Sequence, residues 1–242
     1  DGIRDRSPSR GLGDVYKRQV PTKVDEVMES LAPSLGKRYH LFDYYGAADA
    51  ESVVVLMGSG SQAARECVEH LHSKGDKVGL LKVNLFRPWA SSHFMKALPP
   101  STRRVAVLDR VKESGAHYEP LAMDVASALL DAGKSDVKFI GGRYGLAGKE
   151  FTPEMVNAVF ENLKSPNPKN HFTVGIRDDI TGRSLEIPPF PSTVPPGTTE
   201  CVFWGFGGDG TIGSNKSAIK IIGDNPDMNV QAYFYYDAHK SG

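Results

Sequence analysis

The feature that most constrains this chain is a regular alternation of short apolar runs with helical segments. Ser52–Met57 is a continuous run containing three valines, and similar runs begin near residues 77, 103 and 137. Strands that are apolar at every position are typically buried on both faces, and helices between them indicate βαβ units. With right-handed crossovers, these units predict an α/β domain with a doubly wound parallel sheet over about residues 39–165.

The spacing also predicts the individual elements of this domain. Strands are predicted at Ser52–Met57, Lys77–Phe86, Arg103–Leu108 and Val137–Ile140. Helices are predicted at Thr22–Leu31, after Gly58-Ser59-Gly60 through Ser73, and at Ser91–Leu98, Glu119–Leu130 and Thr152–Asn162.

Changes in composition divide the chain into four parts. Residues 1–19 contain five basic residues and no sustained hydrophobic period. We interpret them as an artefact or a disordered segment, with a natural basic tail as the alternative. Residues 20–165 form the α/β domain. The proline-rich stretch 166–200, with a strand candidate at Phe172–Ile176, predicts an extended linker. Residues 201–242 then resume an α/β pattern and predict the first βαβ unit of a second, truncated domain.

Charge and cysteine content exclude several classes of function. Lys+Arg and Asp+Glu both total 29, so there is no basic surplus for a nucleic-acid partner. No apolar run reaches the roughly 20 residues that a membrane helix needs. The two cysteines, Cys67 and Cys201, are far apart and suit reduced thiols in a cytoplasmic protein. Neither belongs to a C-x-x-C pair, so we predict no zinc or iron–sulfur site and no metal ligand here.

A glycine-rich segment at 205–213 carries the strongest chemical signal. It satisfies G-x-G-x-x-G twice, between a predicted strand at Val202–Phe206 and a predicted helix at Ser214–Ile222. Glycines let backbone N–H groups approach a phosphate, and a helix N-terminus adds unpaired donors and the positive end of the dipole. Thr211 and Ser214 would add hydroxyls, and Lys216 a cation.

The ligand of this turn is open from the residues alone. Asp237, at the end of a second predicted strand at Val230–Tyr236, stands where the ribose-binding acid of an NAD site belongs. Lys240 favours instead a ligand with a further phosphate, such as NADP or coenzyme A. A purely structural glycine turn is the third interpretation.

Three other strand ends carry residues that could contact a ligand. Gly58-Ser59-Gly60-Ser61 is interpreted as a tight β–α turn with Ser61 near the helix cap. Asp109 and Arg110 could contact a ligand or pair with each other. At Gly141-Gly142-Arg143 a bend is favoured, with Arg143 on a carboxylate or an interface. No catalytic residue is assigned.

Several strings together resemble the pyruvate:ferredoxin (flavodoxin) oxidoreductase family, over essentially residues 20–242. The strongest is FWGFGGDGTIGSNKSAI at 203–219. The others are YHLFDYYGAADA at 39–50, VVVLMGSG at 53–60, GLLKV at 79–83 with Arg87-Pro88, AVLDR at 106–110, GGRYGL at 141–146 with KEFTP at 149–153, and KNHFTVG at 169–175.

The resemblance implies an internal segment of an enzyme that oxidatively decarboxylates pyruvate to acetyl-CoA and passes electrons to ferredoxin or flavodoxin. It implies that residues 20–165 are a transketolase C-terminal-like architectural domain and that 201–242 open a coenzyme A-binding domain. The implied coenzyme A contacts are Gly208, Asp209, Gly210, Thr211, Ile212 and Lys240. Thiamine diphosphate and 4Fe-4S clusters are implied elsewhere in the enzyme, which is expected to be a cytoplasmic homodimer. A free-standing NAD(P)-binding module and a non-catalytic scaffold domain are the alternatives.

Overall fold

The structure consists of two compact units. It is a computed structural model that describes residues 7–177 and 180–234. The larger unit ends at Thr193 and the smaller unit begins at Val194. Each unit is described by itself.

A six-stranded sheet forms the centre of the larger unit. Its strands are β1 (Phe42–Gly46), β2 (Ser52–Met57), β3 (Val78–Val83), β4 (Arg104–Asp109), β5 (Lys138–Tyr144) and β6 (Phe172–Val174). They lie in the order β1-β3-β2-β4-β5-β6. The pairs from β3 to β6 are parallel, whereas β1 pairs with β3 antiparallel. The sheet is therefore mixed but mostly parallel.

Helices cover both faces of this sheet. The helices of the unit are α1 (Ser7–Leu35), α2 (Gly60–Ser73), α3 (Ser91–Ala97), α4 (Pro120–Asp131) and α5 (Pro153–Lys164), with a 3₁₀ turn at Leu146–Gly148. Residues of α3 and α4 contribute to the core on one face, together with Val24 and Met28 of α1. Residues of α2 and α5 form the core on the other face. This arrangement confirms the predicted doubly wound α/β fold.

The β2 strand shows why a continuous apolar run predicts this architecture. Val53 and Val55 pack into one core, and Val54 and Leu56 pack into the other. All four are fully buried. Burial of each such side chain contributes about 1.5–3 kcal/mol relative to exposure. If one face of β2 were exposed to water, about half of this stabilisation would be lost. The apolar residues on both faces of β2 therefore require helices on both sides of the sheet.

The strand order places a topological switch point between β2 and β4. After β2 the chain crosses to β3 on one side, and after β3 it crosses back to β4 on the other side of β2. In open parallel sheets, ligands commonly bind in the crevice at the carboxyl ends of such a strand pair.

β1 and β5 depart most from the sequence prediction, and β3 ends at Val83 instead of Phe86. β1 is not predicted, because its residues, FDYYG, mix polar and aromatic side chains and are only partly buried. β5 was predicted to end at Ile140 but continues to Tyr144 through two glycines. A side chain at Gly141 would meet the ring of Tyr118, and one at Gly142 would collide with the ring of Phe172. Neighbouring rings thus fill the space that strand side chains would occupy.

The proline-rich stretch before Thr193 lies against the larger unit. Leu185 and Phe190 pack on the core beside α2 and α5. The Lys169 Nζ donates to the carbonyl oxygens of Gly182 and Ser184, at 3.2 and 2.8 Å. Apart from the short β6, its described residues lie outside helices and strands, as its proline content indicates.

The smaller unit contains one helix, α6 (Thr211–Gly223), in its described part. The predicted strand at Val202–Phe206 is not formed, nor is the described part of the strand predicted at Val230–Tyr236. A strand requires a hydrogen-bonded neighbour, and the described residues of this unit supply none. None of the described residues from 194 to 234 is buried, and Trp204 and Phe206 are 90% and 93% exposed.

Candidate functional site

The glycine-rich turn at 205–213 leads directly into α6. The helix begins at Thr211, three residues earlier than predicted, with Gly210 as its N-cap residue. Gly210 has a φ of 83°, in the left-handed region that L side chains rarely adopt. The predicted turn before a helix is therefore confirmed, and its sharp entry depends on glycine.

The Asp209 carboxylate holds the two sides of this turn together. Its Oδ2 accepts a hydrogen bond from the Phe206 backbone N–H at 2.9 Å, and its Oδ1 accepts one from the Thr211 N–H at 3.0 Å. The bond from Thr211 and, to a smaller extent, the bond from Phe206 lower the pKa of Asp209 below its ordinary value. Both bonds therefore favour the charged carboxylate. An internal anion thus uses one of the donors at the N-terminus of α6.

Gly205 permits this closure. A Cβ at Gly205 would lie 2.7 Å from Thr211 Oγ1 and 3.1 Å from Asp209 Oδ2. Real Cβ atoms do not make the first of these contacts, so a side chain there would push Thr211 and Asp209 away. Gly205 is needed for the close approach of the chain to the start of the helix.

The outer surface of the turn remains open. A Cβ added at Gly208 or at Gly210 meets no heavy atom within 4 Å. Beside the turn lies a groove of about 400 Å³. It is lined by Phe203, Trp204, Asp209, Thr211, Ser214, Asn215 and Ala218. A ligand can therefore reach the turn without displacing other described atoms.

The side chains that the sequence offered as phosphate ligands are partly engaged elsewhere. The Ser214 Oγ donates to the Gly210 carbonyl at 3.2 Å. The Lys216 Nζ lies 5.7 Å from the centre of the Phe234 ring. The N–H groups of Ile212 and Gly213, at the second and third helical positions, have no acceptor within the helix. These two backbone donors are the best placed for an anion.

Of the six predicted coenzyme A contacts, five lie together at this turn. They are Gly208, Asp209, Gly210, Thr211 and Ile212. Lys240, the sixth, lies outside the described residues, as does Asp237, on which the NAD interpretation depends. The role of Asp209 in closing the turn was not recognised from the sequence. The position of Asp209, just before a glycine and the start of a helix, could have indicated this role, because acidic residues at such positions often cap helices.

Protein side chains fill the switch point of the larger unit. The Tyr144 hydroxyl donates to the Met57 carbonyl at 3.2 Å, and a Cβ at Gly60 would lie 2.7 Å from the Tyr144 ring. The Ser61 Oγ donates to the Gly58 carbonyl at 2.7 Å. The predicted tight β–α turn at residues 58–61, with Ser61 near the start of α2, is confirmed.

Asp109 and Arg110 bind different partners rather than each other. The two oxygens of Asp109 accept hydrogen bonds from the Leu121 and Ala122 N–H groups, both at 3.0 Å. Burial raises the pKa of Asp109 to about 6, although these two bonds lower it. The Arg110 Nε donates to the Gly145 carbonyl at 2.9 Å. Both side chains therefore support the fold at the end of β4.

Arg143 lies in β5 rather than in the predicted bend, and it forms an ion pair with a carboxylate, one of the two environments predicted for it. Its Nη1 lies 3.0 Å from Oε1 of Glu119, the residue that precedes α4. The Glu119 side chain is 5% exposed and that of Arg143 is 20% exposed. The partner could not be identified from the sequence, because it lies 24 residues away.

Within residues 7–177 and 180–234, no group of three or more His, Cys, Asp and Glu side chains could hold a metal ion. In the same part of the chain, no helix has the length and apolar character to cross a membrane.

Comparisons with known proteins give consistent results. Residues 50–156 match the model of the pyruvate:ferredoxin oxidoreductase core domain II. The pyruvate:ferredoxin oxidoreductase of Moorella thermoacetica is 54% identical over 234 residues, which cover 97% of this chain and 20% of that protein. The pyruvate-flavodoxin oxidoreductase of Nostoc sp. is 47% identical over 94% of this chain and 20% of its own length. The chain thus spans about one fifth of these relatives.

Two other similar proteins differ in their named reactions. The mitochondrial pyruvate dehydrogenase [NADP(+)] of Euglena gracilis is 50% identical over 94% of this chain and 13% of that protein. A solved 2-oxoglutarate:ferredoxin oxidoreductase from Magnetococcus marinus, with 2-oxoglutarate, coenzyme A and succinyl-CoA bound, matches at a TM-score of 0.37 and 24% identity. That match covers 55% of this chain and 21% of the other.

Proposed function

We propose that this chain is one segment of a pyruvate:ferredoxin or pyruvate:flavodoxin oxidoreductase, and that it supplies an architectural domain and part of the coenzyme A site of that enzyme. The whole enzyme would decarboxylate pyruvate oxidatively to acetyl-CoA and transfer the electrons to ferredoxin or flavodoxin. The observation that carries the proposal is 54% identity to the Moorella enzyme over 97% of the chain.

The larger unit suits an architectural role. Its switch-point crevice is occupied by Tyr144, and Asp109 and Arg110 bind backbone groups of their own unit. We therefore assign ligand contact to the smaller unit, and we propose that residues 20–165 are the transketolase C-terminal-like domain that the sequence indicates.

The turn in the smaller unit suits a phosphate group of coenzyme A. Gly208 and Gly210 leave the backbone accessible, and Ile212 lies at the start of α6, where N–H groups lack intrahelical acceptors. The Asp209 charge opposes an anion, so a nearby cation is required, and Lys240 is the residue we propose for this role. Bound coenzyme A would supply the thiol that accepts the acetyl group.

The thiamine diphosphate and 4Fe-4S clusters of the proposed enzyme belong to its other parts. A 4Fe-4S cluster is held by four cysteine thiolates, and this chain has two cysteines. Burial raises the pKa of the Cys67 thiol to about 12, which further opposes a thiolate ligand there. Electron transfer is therefore assigned to residues outside this chain. We also propose that the enzyme is a cytoplasmic homodimer.

Replacement of Lys240 by alanine in the full-length enzyme tests the site. We expect the KM for coenzyme A to rise about tenfold, because a charge-assisted hydrogen bond to phosphate is lost, while the KM for pyruvate is unchanged. Lys220→Ala, in the last turn of α6, is the matched control and is expected to change neither constant. Equal effects of Lys240→Ala on both substrates would contradict the assignment.

The purified 242-residue chain is expected to release no CO₂ from pyruvate, since it lacks the proposed thiamine and cluster sites. Calorimetric titration of the same chain with NADP⁺ distinguishes the proposed function from its main alternative, a free-standing NAD(P)-binding module. Saturable binding of NADP⁺ would favour a free-standing NAD(P)-binding module, and decarboxylation by the isolated chain would overturn the division of labour proposed here. A scaffold role would be favoured if the full-length Lys240→Ala enzyme behaved like the wild type.

A further inference from the structure

A second concave site lies in the larger unit, at the amino-terminal edge of the sheet. It is a cavity of about 290 Å³ between the end of α3 and the connections that lead into β4 and β5. The side chains that matter for its chemistry are Met95, Lys96, Leu98, Thr102, Lys134 and Val137. It is far from the carboxyl ends of the strands, and nothing in the proposed function uses it.

The Thr102 hydroxyl is the first unusual feature of this cavity. Thr102 is 2% exposed, and its Oγ1 has no hydrogen-bond partner among the described residues. A buried hydroxyl without a partner is costly, because it has lost its hydrogen bonds to water. Most such groups in native proteins are satisfied by water, an ion or a ligand. Its oxygen is covered, so a small rotation of the Thr102 side chain toward the cavity would let it donate to an acceptor there and remove this cost.

The second feature is an excess of positive charge. Lys96 and Lys134 both line the cavity, and neither forms an ion pair with a described carboxylate. The nearby Asp136 instead pairs with Arg103, at 3.5 Å. Two unpaired ammonium groups on one cavity favour an anionic occupant.

The remaining wall is apolar. Met95, Leu98 and Val137 line it together with two prolines. Small-molecule sites typically combine such walls with a few convergent polar groups. The volume is roughly ten times the ~30 Å³ that one water occupies in the liquid, which suits a ligand of about ten heavy atoms or fewer.

We infer that this cavity binds a small aliphatic carboxylate. The carboxylate would accept a hydrogen bond from Thr102 and face the ammonium groups of Lys96 and Lys134, and its alkyl chain would contact Met95, Leu98 and Val137. Inorganic phosphate has no apolar part to place against that wall, and an alkylammonium ion carries the wrong charge. This inference is independent of the function proposed for the smaller unit.

Calorimetric titration of the 242-residue chain with sodium hexanoate tests the inference. We expect saturable binding that is weakened about fivefold by Lys134→Gln, the loss typical of a partly exposed ion pair. Lys112→Gln, in the exposed loop after β4, is the matched control and should leave the affinity unchanged. Phosphate and hexylamine are expected not to bind. No saturable binding of hexanoate, or equal affinities of the wild type and Lys134→Gln, would overturn the inference.

The Thr102→Val variant distinguishes a ligand site from a cavity that holds ordered water. In the ligand site, removal of the unpaired hydroxyl should raise the Tm of the chain without ligand and weaken hexanoate binding. If ordered water satisfies the hydroxyl, the same change should lower the Tm and leave hexanoate without effect. That second pattern contradicts the inference.

Discussion

Replacing Gly46 by alanine is expected to destabilise the larger unit by about 4 kcal/mol, the combined cost of overpacking and of a left-handed side chain. Gly46 ends β1 with a φ of 119°. An added Cβ would collide with the Val78 carbonyl oxygen and lie 2.8 Å from the Gly79 Cα. Both are backbone atoms of the neighbouring β3 strand, so no side-chain rotation relieves the contact. Urea unfolding of the 242-residue chain, followed by circular dichroism, measures the loss.

Gly75→Ala is the matched control for this prediction. Gly75 also has a left-handed φ, of 90°, but a Cβ there meets no atom within 4 Å. Its substitution should cost about 1 kcal/mol, from backbone strain alone. The difference between the two variants isolates the contact with β3. Equal free energies of unfolding for the two variants would show that β1 does not lie against β3 as described.

The central strands could be predicted because they are buried on both faces, where only apolar side chains are stable. β2 is covered on both faces, so every residue from Val53 to Leu56 is apolar, and the run is visible without knowledge of the partners. β1 lacks this signal because its stability comes from pairing with β3 and from glycines that allow the close approach. Gly79 makes room for the Tyr44 ring, which no local pattern reveals.

The candidate site likewise has features that local sequence predicts and features that only the folded structure shows. The position of the glycine turn and of α6 follows from local sequence, since glycines at a strand-to-helix junction have few other uses. The use of the Asp209 carboxylate to close the turn depends on which N–H groups face it, and this is set by the folded backbone. The prediction of a strand at Val202–Phe206 was wrong, because a strand needs a hydrogen-bonded neighbouring strand in addition to residues of high strand propensity.

The partner of Arg143 could be identified only from the fold, because Glu119 is distant in sequence. The sequence around Arg143 predicts that the arginine lies on a carboxylate or at an interface, and it identifies neither. In the fold, β5 places Arg143 beside the residue that precedes α4, and the pair joins a central strand to its covering helix. Because Glu119 is nearly fully buried, its charge depends on Arg143 for compensation.

Replacing Arg143 by methionine is therefore expected to cost about 3–5 kcal/mol, because it leaves a buried carboxylate without its partner. Adding Glu119→Gln should restore most of the loss, so a double-mutant cycle from urea unfolding should give a large coupling energy. Arg103→Met is the matched control: its pair with Asp136 is more than 60% exposed on both sides, and its loss should cost less than about 1 kcal/mol. If Arg143→Met and Arg103→Met had equal effects, the pair at the start of α4 would not stabilise the fold in the way its burial indicates.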